Sequence, residues 1–332
     1  MNTDQNILTD TFNRSINYLR VSITDHCNLR CQYCTPRDGK AEHTSLLSYE
    51  EILRVVRLAV GLGIKKVRLT GGEPLVRRGV MPFIQRLAQV NGLREIRLTT
   101  NGVLLEDMLP DLQKAGLENL NISLDSLRPR RFQEITGFDC FTRVWRGIEK
   151  ALEMGFPVIK LNVVAMRGVN DDEFIDFARL TIKLPIDIRF IEFMPIGQAG
   201  AGQQTRFIST ADIMTMITPL GELQPIKSQR LHGPARMFKL PKAAGSLGFI
   251  SPLSNHFCDT CNRLRLTSQG RLRSCLLTDR EEDIKGPLRS GASDDDIRRL
   301  LIQTIINKPK GHTLTQGQRA GSCHGEMSRI GG

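Results

Sequence analysis

The hydrophobic pattern of the first two thirds of the chain alternates between two periods. Short apolar runs rich in β-branched residues are separated by longer segments in which apolar residues recur every three to four positions. The first pattern is typical of a buried strand and the second of an amphipathic helix. The runs that predict strands are Tyr18–Ile23, Lys66–Thr70, Glu95–Thr99, Asn119–Leu124, Val158–Val164 and Ile186–Phe193.

Helix signals fall between these runs. Ser48 and Glu51 predict a capping box, Asn170 and Glu173 predict a second one, and a helix is expected over Trp145–Met154. Strands joined through helices form parallel sheets. A partial barrel and a doubly wound open sheet both fit the pattern, and six units are too few for a closed (β/α)₈ barrel.

Polar and glycine-rich segments follow the predicted strands. In a parallel α/β sheet the carboxyl ends of the strands form the ligand-binding edge, so we expect substrates to bind there. These segments are Cys27–Cys34, Thr70–Pro74, Thr100–Gly102, Ser123–Ser126 and Met194–Gly197.

The pattern changes after residue 195 and predicts a smaller second module. A short helix is expected near Ala211–Ile217, β-like pieces near Met237–Leu240 and Leu264–Thr267, and a last helix over Asp294–Ile306. The expected organisation is an α/β core over residues 1–195 followed by a C-terminal module over residues 196–332.

Charge and composition narrow the class of protein. The 332-residue chain is 40% hydrophobic and has a net charge of +11, which predicts an anionic partner. Residues 201–280 alone hold eleven Lys or Arg against four Asp or Glu. The N-terminal segment has no basic stretch followed by an apolar run, and no apolar stretch is long enough for a membrane helix. A cytoplasmic protein without a membrane partner is therefore expected.

Six of the eight cysteines form two sets of three. The first set is Cys27, Cys31 and Cys34, and the second is Cys258, Cys261 and Cys275. A structural zinc site takes four protein ligands, whereas three thiolates on a [4Fe–4S] cluster leave one iron open.

Zinc remains an alternative to different degrees at the two sets. At the first set it would need His26, whose position beside Cys27 makes a strained chelate. At the second set His256 could complete a zinc knuckle, and the spacing alone does not decide between the metals. The other two, Cys140 and Cys323, have no partner spacing and are expected to be an ordinary buried residue and a tail residue.

The first cysteine set and its companions resemble the radical S-adenosylmethionine enzymes. The spacing C-x₃-C-x₂-C follows the first predicted strand, Tyr33 precedes the last cysteine, and Gly71–Pro74 (GGEP) follows the second strand. The resemblance implies a partial (β/α)₆ barrel. It also implies that the open iron of a [4Fe–4S] cluster binds S-adenosylmethionine and that the reduced cluster cleaves it to a 5′-deoxyadenosyl radical.

The second set narrows the resemblance to the GTP 3′,8-cyclases of molybdenum cofactor biosynthesis, which are lyases. The segment Phe257–Arg265 (FCDTCNRLR), Cys275 and the terminal Gly331–Gly332 are similar to that family, and the similarity runs over nearly the whole chain. The resemblance implies a second [4Fe–4S] cluster in the C-terminal module, with its open iron binding the guanine base.

The resemblance also implies a set of site residues. S-adenosylmethionine would be contacted by Tyr33, Gly72, Ser123 and Met194. GTP would be contacted by Arg20, Arg68, Thr99, Lys160, Arg263, Leu264 and Arg265. Arg20, Arg263, Arg265 and the tail residues Gly331 and Gly332 would act in catalysis. No G-x₄-GK[ST] loop is present in the sequence, so side-chain cations are expected to hold the triphosphate.

The implied reaction removes hydrogen from C3′ of GTP and joins C3′ to C8 of guanine. Its product would pass to cyclic pyranopterin monophosphate synthase, the electron donor is not identified, and the family implies a homodimer. Two other functions compete with this interpretation. One is a radical S-adenosylmethionine enzyme acting on a peptide or RNA. The other is a basic zinc- or cluster-containing nucleic-acid binder, which dispersed basic residues and 5% aromatic content disfavour.

Overall fold

The computed structural model describes residues 8–34, 46–197, 202–226, 233–312, 314 and 327–330. All six predicted strands of the N-terminal part are present, with ends within one residue of the prediction. They are β1 (Tyr18–Ser22), β2 (Lys66–Thr70), β3 (Glu95–Thr100), β4 (Asn119–Ser123), β5 (Val158–Ala165) and β6 (Asp187–Glu192).

The C-terminal part contributes six further short strands. They are β7 (Gln224–Pro225), β8 (Arg236–Lys239), β9 (Ser246–Ile250), β10 (Arg263–Leu266), β11 (Arg271–Arg273) and β12 (Glu282–Asp283). All twelve belong to one sheet with the order β12-β11-β10-β1-β2-β3-β4-β5-β6-β9-β8-β7. The strands from β10 through β9 in this order are parallel, and only the outer pairs are antiparallel.

The sheet does not close, because β12 and β7 end the order without pairing to each other. The α/β fold with a partial, open barrel is thereby confirmed. The two strands expected in the second module are present as β8 and β10 and extend the same sheet: β10 pairs with β1, and β8 pairs with the additional strand β9, which pairs with β6. The division at residue 195 stays a prediction.

Helices between the parallel strands cover the outer face of the sheet, and further helices belong to the C-terminal part. They are α1 (Tyr49–Gly61), α2 (Val80–Ala88), α3 (Leu105–Lys114), α4 (Pro129–Thr136), α5 (Phe141–Glu153), α6 (Phe174–Lys183), α7 (Thr210–Ile217), α8 (Lys285–Arg289), α9 (Asp294–Ile306) and α10 (Met327–Ile330). None of the described helices is both long and apolar enough to cross a membrane.

The two predicted capping boxes have different outcomes. Ser48 and Glu51 form one at the start of α1. The prediction for Asn170 and Glu173 is wrong. Asn170 instead donates its side-chain amide to the carbonyls of Asp125 and Val164, at 2.7 and 2.9 Å. The buried Glu173 carboxylate accepts from Ser126 and Leu127.

The apolar core lies between the helices and the outer face of the sheet, and Leu19, Val21, Val67 and Leu69 are part of it. Because side chains alternate along a strand, the residues between these positions point to the barrel interior, and many of those are polar. Cys140, expected to be buried, is only half-buried at the start of α5. Cys323 lies outside the described residues.

Candidate active site

The first cysteine set lies in the loop that follows β1. A turn at its end is closed by the Cys34 amide, which donates to the Cys31 carbonyl at 3.0 Å. Burial raises the pKa of Cys31 far above its usual value, and the charges of Cys34, Asp125 and Cys27 add to this. Three thiolates in one loop would repel one another, and a cationic metal centre would stabilise them. The donor set therefore fits the implied cluster.

The GGEP segment is tightly joined to this loop. The Gly72 amide donates to the Thr24 carbonyl at 2.7 Å, and a Cβ at Gly72 would lie 2.3 Å from the carbonyl oxygen of His26. Glycine is therefore required here for contact between two backbone segments. The resemblance implies that Gly72 contacts S-adenosylmethionine, and the close approach that this structure shows is to His26.

Glu73 connects the same loop to the end of β3. Its carboxylate accepts hydrogen bonds from Thr100 Oγ1 at 2.8 Å and from the Asn101 amide at 2.6 Å. Burial raises the pKa of Glu73 to about 7. The Asn101 side chain in turn contacts Cys27 Sγ at 3.7 Å.

The other three residues predicted to contact S-adenosylmethionine also lie near the first cysteine set or the cavity beyond it. The Tyr33 hydroxyl donates to Asp125 Oδ2 at 2.7 Å. Ser123 is the last residue of β4, two positions before Asp125. Met194 follows β6 and lines the large cavity described below.

The second cysteine set lies at the opposite end of the strands. Cys258 and Cys261 precede β10, which runs parallel to β1 with Arg263 opposite Tyr18. Cys275 follows β11, which returns antiparallel to the start of β10. We expected ligands at the carboxyl ends of the strands. Only the first set lies there, since the second set lies at the amino ends of β1 and β10.

Charges around the second set also suit a metal centre. Burial raises the pKa of the Cys261 thiol, but Lys308 and Arg263 outweigh it, so the net direction is downward. Burial raises the pKa of Cys258, and the charges of Cys275 and Cys261 add to this. A hydrogen bond from the His312 backbone opposes the rise without cancelling it.

Two histidines lie beside Cys258. Ligand atoms of His256, Cys258 and His312 all lie within 4.8 Å of one another. The two imidazole rings are 4.2 Å apart between centroids. This geometry is compatible with the zinc alternative for the second set, so side-chain positions alone do not choose between zinc and an iron–sulfur cluster.

One cavity extends from the second cysteine set into the barrel interior. All three cysteines of that set line it. Its cationic lining residues are Arg20, Arg68, Arg189, Arg263 and Arg265, and Tyr18, Thr99, Asn121 and Asn162 are among its other polar ones. Arg20 and Arg68 occupy the middle of β1 and β2, at directly paired positions, rather than the strand ends.

Several buried polar atoms in or next to the cavity have no hydrogen-bond partner within the described parts of the chain. They include Arg189 Nε, Arg263 Nε, Asn121 Oδ1 and Asn162 Oδ1 in the lining, and Nη1 of the nearby Arg97. Buried polar atoms are nearly always paired in native proteins, so this pattern indicates a polar ligand that offers acceptors to the arginines and donors to the two asparagine oxygens.

The electrostatics of the interior show how strongly cations are concentrated there. Burial and the neighbouring Arg265 lower the pKa of Arg20 well below its usual value. Burial would raise the pKa of Tyr18, but Arg68, Arg20 and Arg263 together bring it down to about 7. A tyrosine that ionises near neutrality shows how strongly this interior favours negative charge.

Two predicted GTP contacts differ from the rest. Leu264 is buried in the apolar core on the outer face of the sheet, so only its backbone can contribute to a site. Lys160 is buried close to Arg189 and Arg97, and burial followed by these two charges lowers its pKa to about 6. It is not among the described residues that line the cavity.

Sequence reasoning missed Arg189 and Arg97. Each lies two positions after an acidic residue on the same strand, in Asp187-Ile188-Arg189 and Glu95-Ile96-Arg97, so each resembles an exposed ion pair. The available signal was the repetition, because Lys66-Val67-Arg68 has the same spacing and all three patterns place their charges on one face.

The last described turn of the chain reaches the same cavity. Met327 in α10 lines it, and Ile330 is buried in a small apolar cluster next to Met194. Gly331 and Gly332 lie outside the described residues.

Comparison with known proteins shows the class to which this protein belongs. The family model described as the Radical SAM superfamily matches residues 21–181, and the one described as Molybdenum Cofactor Synthesis C matches residues 186–314. Crystal structures of Streptococcus suis SuiB share the fold. The complex with precursor peptide SuiA has a TM-score of 0.63 at 14% identity, over 91% of this chain and 73% of that one. The protein is a radical S-adenosylmethionine enzyme by fold and by family.

Curated relatives give the particular family. The GTP 3′,8-cyclase of Moorella thermoacetica is 48% identical over 98% of this chain and 100% of its own. That of Thermodesulfovibrio yellowstonii is 50% identical over 92% and 95%. The chain belongs to the GTP 3′,8-cyclase family. Members of this family hold two [4Fe–4S] clusters, which favours iron–sulfur over zinc at the second cysteine set.

Proposed function

We propose that this protein is a GTP 3′,8-cyclase. It would convert GTP to (8S)-3′,8-cyclo-7,8-dihydroguanosine 5′-triphosphate at the start of molybdenum cofactor biosynthesis. The observation that supports this best is the cation-rich cavity, which extends from the second cysteine set into a barrel whose opposite end bears the first. GTP suits this arrangement, because the arginines of the cavity can bind its triphosphate and a cluster at the second cysteine set can bind its base.

The cofactors follow from the two cysteine sets. Cys27, Cys31 and Cys34 would hold one [4Fe–4S] cluster, and Cys258, Cys261 and Cys275 the other. When bound, the first cluster and S-adenosylmethionine supply a 5′-deoxyadenosyl radical able to remove the C3′ hydrogen of GTP. Tyr33, Gly72, Ser123 and Met194 would contact S-adenosylmethionine.

The chain's own residues bind and orient the nucleotide. We assign the triphosphate to Arg20, Arg68, Lys160 and the additional Arg189, because planar guanidinium groups bind phosphate oxygens in pairs. Thr99 accepts a hydrogen bond from Arg68 Nη1 at 3.0 Å, which fixes the direction of that guanidinium. Arg263, the Leu264 backbone and Arg265 lie nearer the second set, where the base would bind.

Orientation is the main contribution of these residues, since the two atoms to be joined belong to one molecule and must be held close together. Arg20, Arg263 and Arg265 would complete the catalytic arrangement, together with Gly331 and Gly332. The position of α10 at the cavity wall supports a tail that reaches the site. Such a tail would exclude water from a reactive radical.

The remaining parts of the proposal concern the cell. The enzyme would work in the cytoplasm as a homodimer, receive electrons from a donor still to be identified, and pass its product to cyclic pyranopterin monophosphate synthase. Family membership supports GTP as the substrate and cyclic pyranopterin monophosphate synthase as the enzyme that acts on the product. The absence of a membrane-spanning helix among the described residues is consistent with this location.

The direct test is anaerobic incubation of reconstituted protein with a reductant, S-adenosylmethionine and GTP. We expect 5′-deoxyadenosine and a cyclised nucleotide in equal amounts, and about eight irons per chain. Formation of 5′-deoxyadenosine without consumption of GTP would reject the substrate. Zinc with little iron would reject the cofactors and support a zinc protein instead.

A matched pair of variants tests the cavity itself. Arg189→Met removes a buried cation from the cavity, and we expect at least a tenfold rise in KM for GTP, as for loss of one charge-assisted contact. Arg179→Met removes an exposed arginine of α6 that pairs with Asp176 at 2.9 Å, and KM should not change. Equal effects of the two substitutions would contradict the assignment of Arg189.

A further inference from the structure

A buried ammonium group lies against the second cysteine set. Lys308 is 3% exposed and follows α9 in the chain. Its Nζ donates to the carbonyl of Arg263 at 2.9 Å and to the carbonyl of Ser274. These two carbonyls accept from two of the three N–H donors of the ammonium group. Burial lowers the pKa of Lys308, and the charges of Cys261 and Cys275 oppose that effect.

The partners of Lys308 lie on both segments that supply cysteines. Cys261 and Arg263 belong to the segment leading into β10, and Ser274 is adjacent to Cys275. Lys308 therefore joins the two segments and adds a positive charge next to their thiolates. Burial of an unpaired lysine destabilises the folded state, because its charge loses contact with water. This position therefore favours negative charge close by.

A second cation stabilises the same region in a different way. Arg14 is paired with Asp10 at 2.6 Å, and it donates to the carbonyls of Cys258 at 2.8 Å, Pro309 at 2.7 Å and Lys310 at 2.9 Å. Its side-chain hydrogen bonds go to carbonyl and carboxylate oxygens rather than to a thiolate. Arg14 and Lys308 thus both hold this region together, but the charge of Arg14 is balanced by the Asp10 carboxylate.

We propose that Lys308 is a positioning residue that raises the reduction potential of the second cluster, because it holds a buried positive charge between the two segments that carry the cysteines of this set. The inference rests on the proposed function, which places a cluster at this set. Reduction adds negative charge to a cluster, and a neighbouring cation with an N–H donor stabilises that charge. Its loss would therefore make the cluster harder to reduce.

The test is a redox titration of the anaerobically reconstituted holoenzyme, followed by electron paramagnetic resonance. In Lys308→Met we expect the ratio of reduced to oxidised second cluster at a fixed potential to fall about tenfold, which equals about 59 mV for a one-electron couple. The first cluster is the internal reference and should keep its potential. Lys308→Arg retains the charge and should recover most of the difference.

Arg14→Met is the control for a merely structural role. It should loosen the same segments but change the ratio less than threefold. An unchanged potential in Lys308→Met at full iron content would overturn the proposal, and so would an equal shift in Arg14→Met. If Lys308→Met loses iron, Lys308→Gln replaces it with the same expected direction and the same criterion.

Failure of the proposed function would appear elsewhere. It would be seen in the unsubstituted protein, as an iron content far below about eight per chain or as no consumption of GTP. A wild-type enzyme that passes both tests while Lys308→Met keeps its potential would contradict only the role of Lys308.

Discussion

The phenolic hydroxyl of Tyr33 donates a 2.7 Å hydrogen bond to Asp125 Oδ2, and Asp125 Oδ1 accepts from the Val164 amide at 2.8 Å. Tyr33 immediately precedes Cys34, whereas Asp125 and Val164 belong to the ends of β4 and β5. The loop of the first cysteine set is thereby fixed to the middle of the sheet by a buried carboxylate.

Removal of this hydrogen bond should weaken binding of S-adenosylmethionine. We expect Tyr33→Phe to raise the dissociation constant roughly five- to tenfold, in line with about 1 kcal/mol for one hydrogen bond. Equilibrium dialysis of the reconstituted enzyme measures it. Tyr49→Phe is the control, since that hydroxyl contacts the carbonyls of Arg77 and Arg78 at the longer distances of 3.4 and 3.3 Å and makes no contact with Asp125. Wild-type affinity in Tyr33→Phe would show that the bond does not position the ligand.

Binding of GTP should take up protons near pH 7. The pKa of Lys160 is about 6 in the free protein because of burial and of Arg189 and Arg97, with Asp187 only partly opposing them. Lys160 is thus mostly neutral at pH 7, and a neighbouring triphosphate would raise its pKa and restore the charge. The affinity for GTP should therefore decrease as pH rises above about 6.

Calorimetry in two buffers of different ionisation enthalpy measures this uptake. Lys160→Gln should take up fewer protons than the wild type, and the difference between them cancels protonation of the nucleotide itself. Tyr18, with a pKa of about 7, should add to the uptake because bound phosphate disfavours the phenolate. The difference in proton uptake between the wild type and Tyr18→Phe measures the contribution of Tyr18. Identical uptake in the wild type and Lys160→Gln would refute the assignment of Lys160.

Glu192 should be a major determinant of stability. This fully buried carboxylate at the end of β6 accepts from the amides of Thr210, Leu253 and Ser254, each at 3.0 Å. Glu192→Ala leaves the two buried amides of Thr210 and Leu253 and the partly buried amide of Ser254 without their partner, and we expect a loss of about 3 kcal/mol in the free energy of unfolding. Urea unfolding under reducing, anaerobic conditions measures it. The exposed Glu222→Ala should change it by less than about 0.5 kcal/mol.

The terminal residues should matter for turnover and not for cofactor binding. Deletion of Gly331 and Gly332 is expected to abolish product formation while both clusters remain, because Met327 already brings the chain to the cavity wall. Product analysis and iron determination on the same preparation measure both effects. Full activity of the truncated enzyme would reject a role for the tail.

Much of the fold was predictable because the parallel strands are buried on one face and joined by amphipathic helices. That pattern is local, so β2 was predicted to the residue and the other five to within one. The partnership of β10 with β1 was not predictable in the same way, since Tyr18 and Arg263 are far apart in sequence and β10 has only four residues.

The cysteine sets were predictable, because metal binding constrains the spacing of the ligands in the sequence. Residues that are brought together only by the tertiary fold were less predictable. Asp125 and Glu192 look like ordinary loop or strand acids in sequence. Only the fold shows that backbone amides from distant segments converge on them. Lys308 is similar, because its role depends on two cysteine-bearing segments that reach it from opposite sides.

The pairing of β1 with β10 also has a consequence for how the protein is made. β1 is translated well before its neighbour on one side, which is encoded some 240 residues later. At about 5 to 20 residues per second, that edge stays open for about 12 to 50 seconds of translation. The nascent chain would therefore display an unpaired strand and a complete set of thiols throughout this interval.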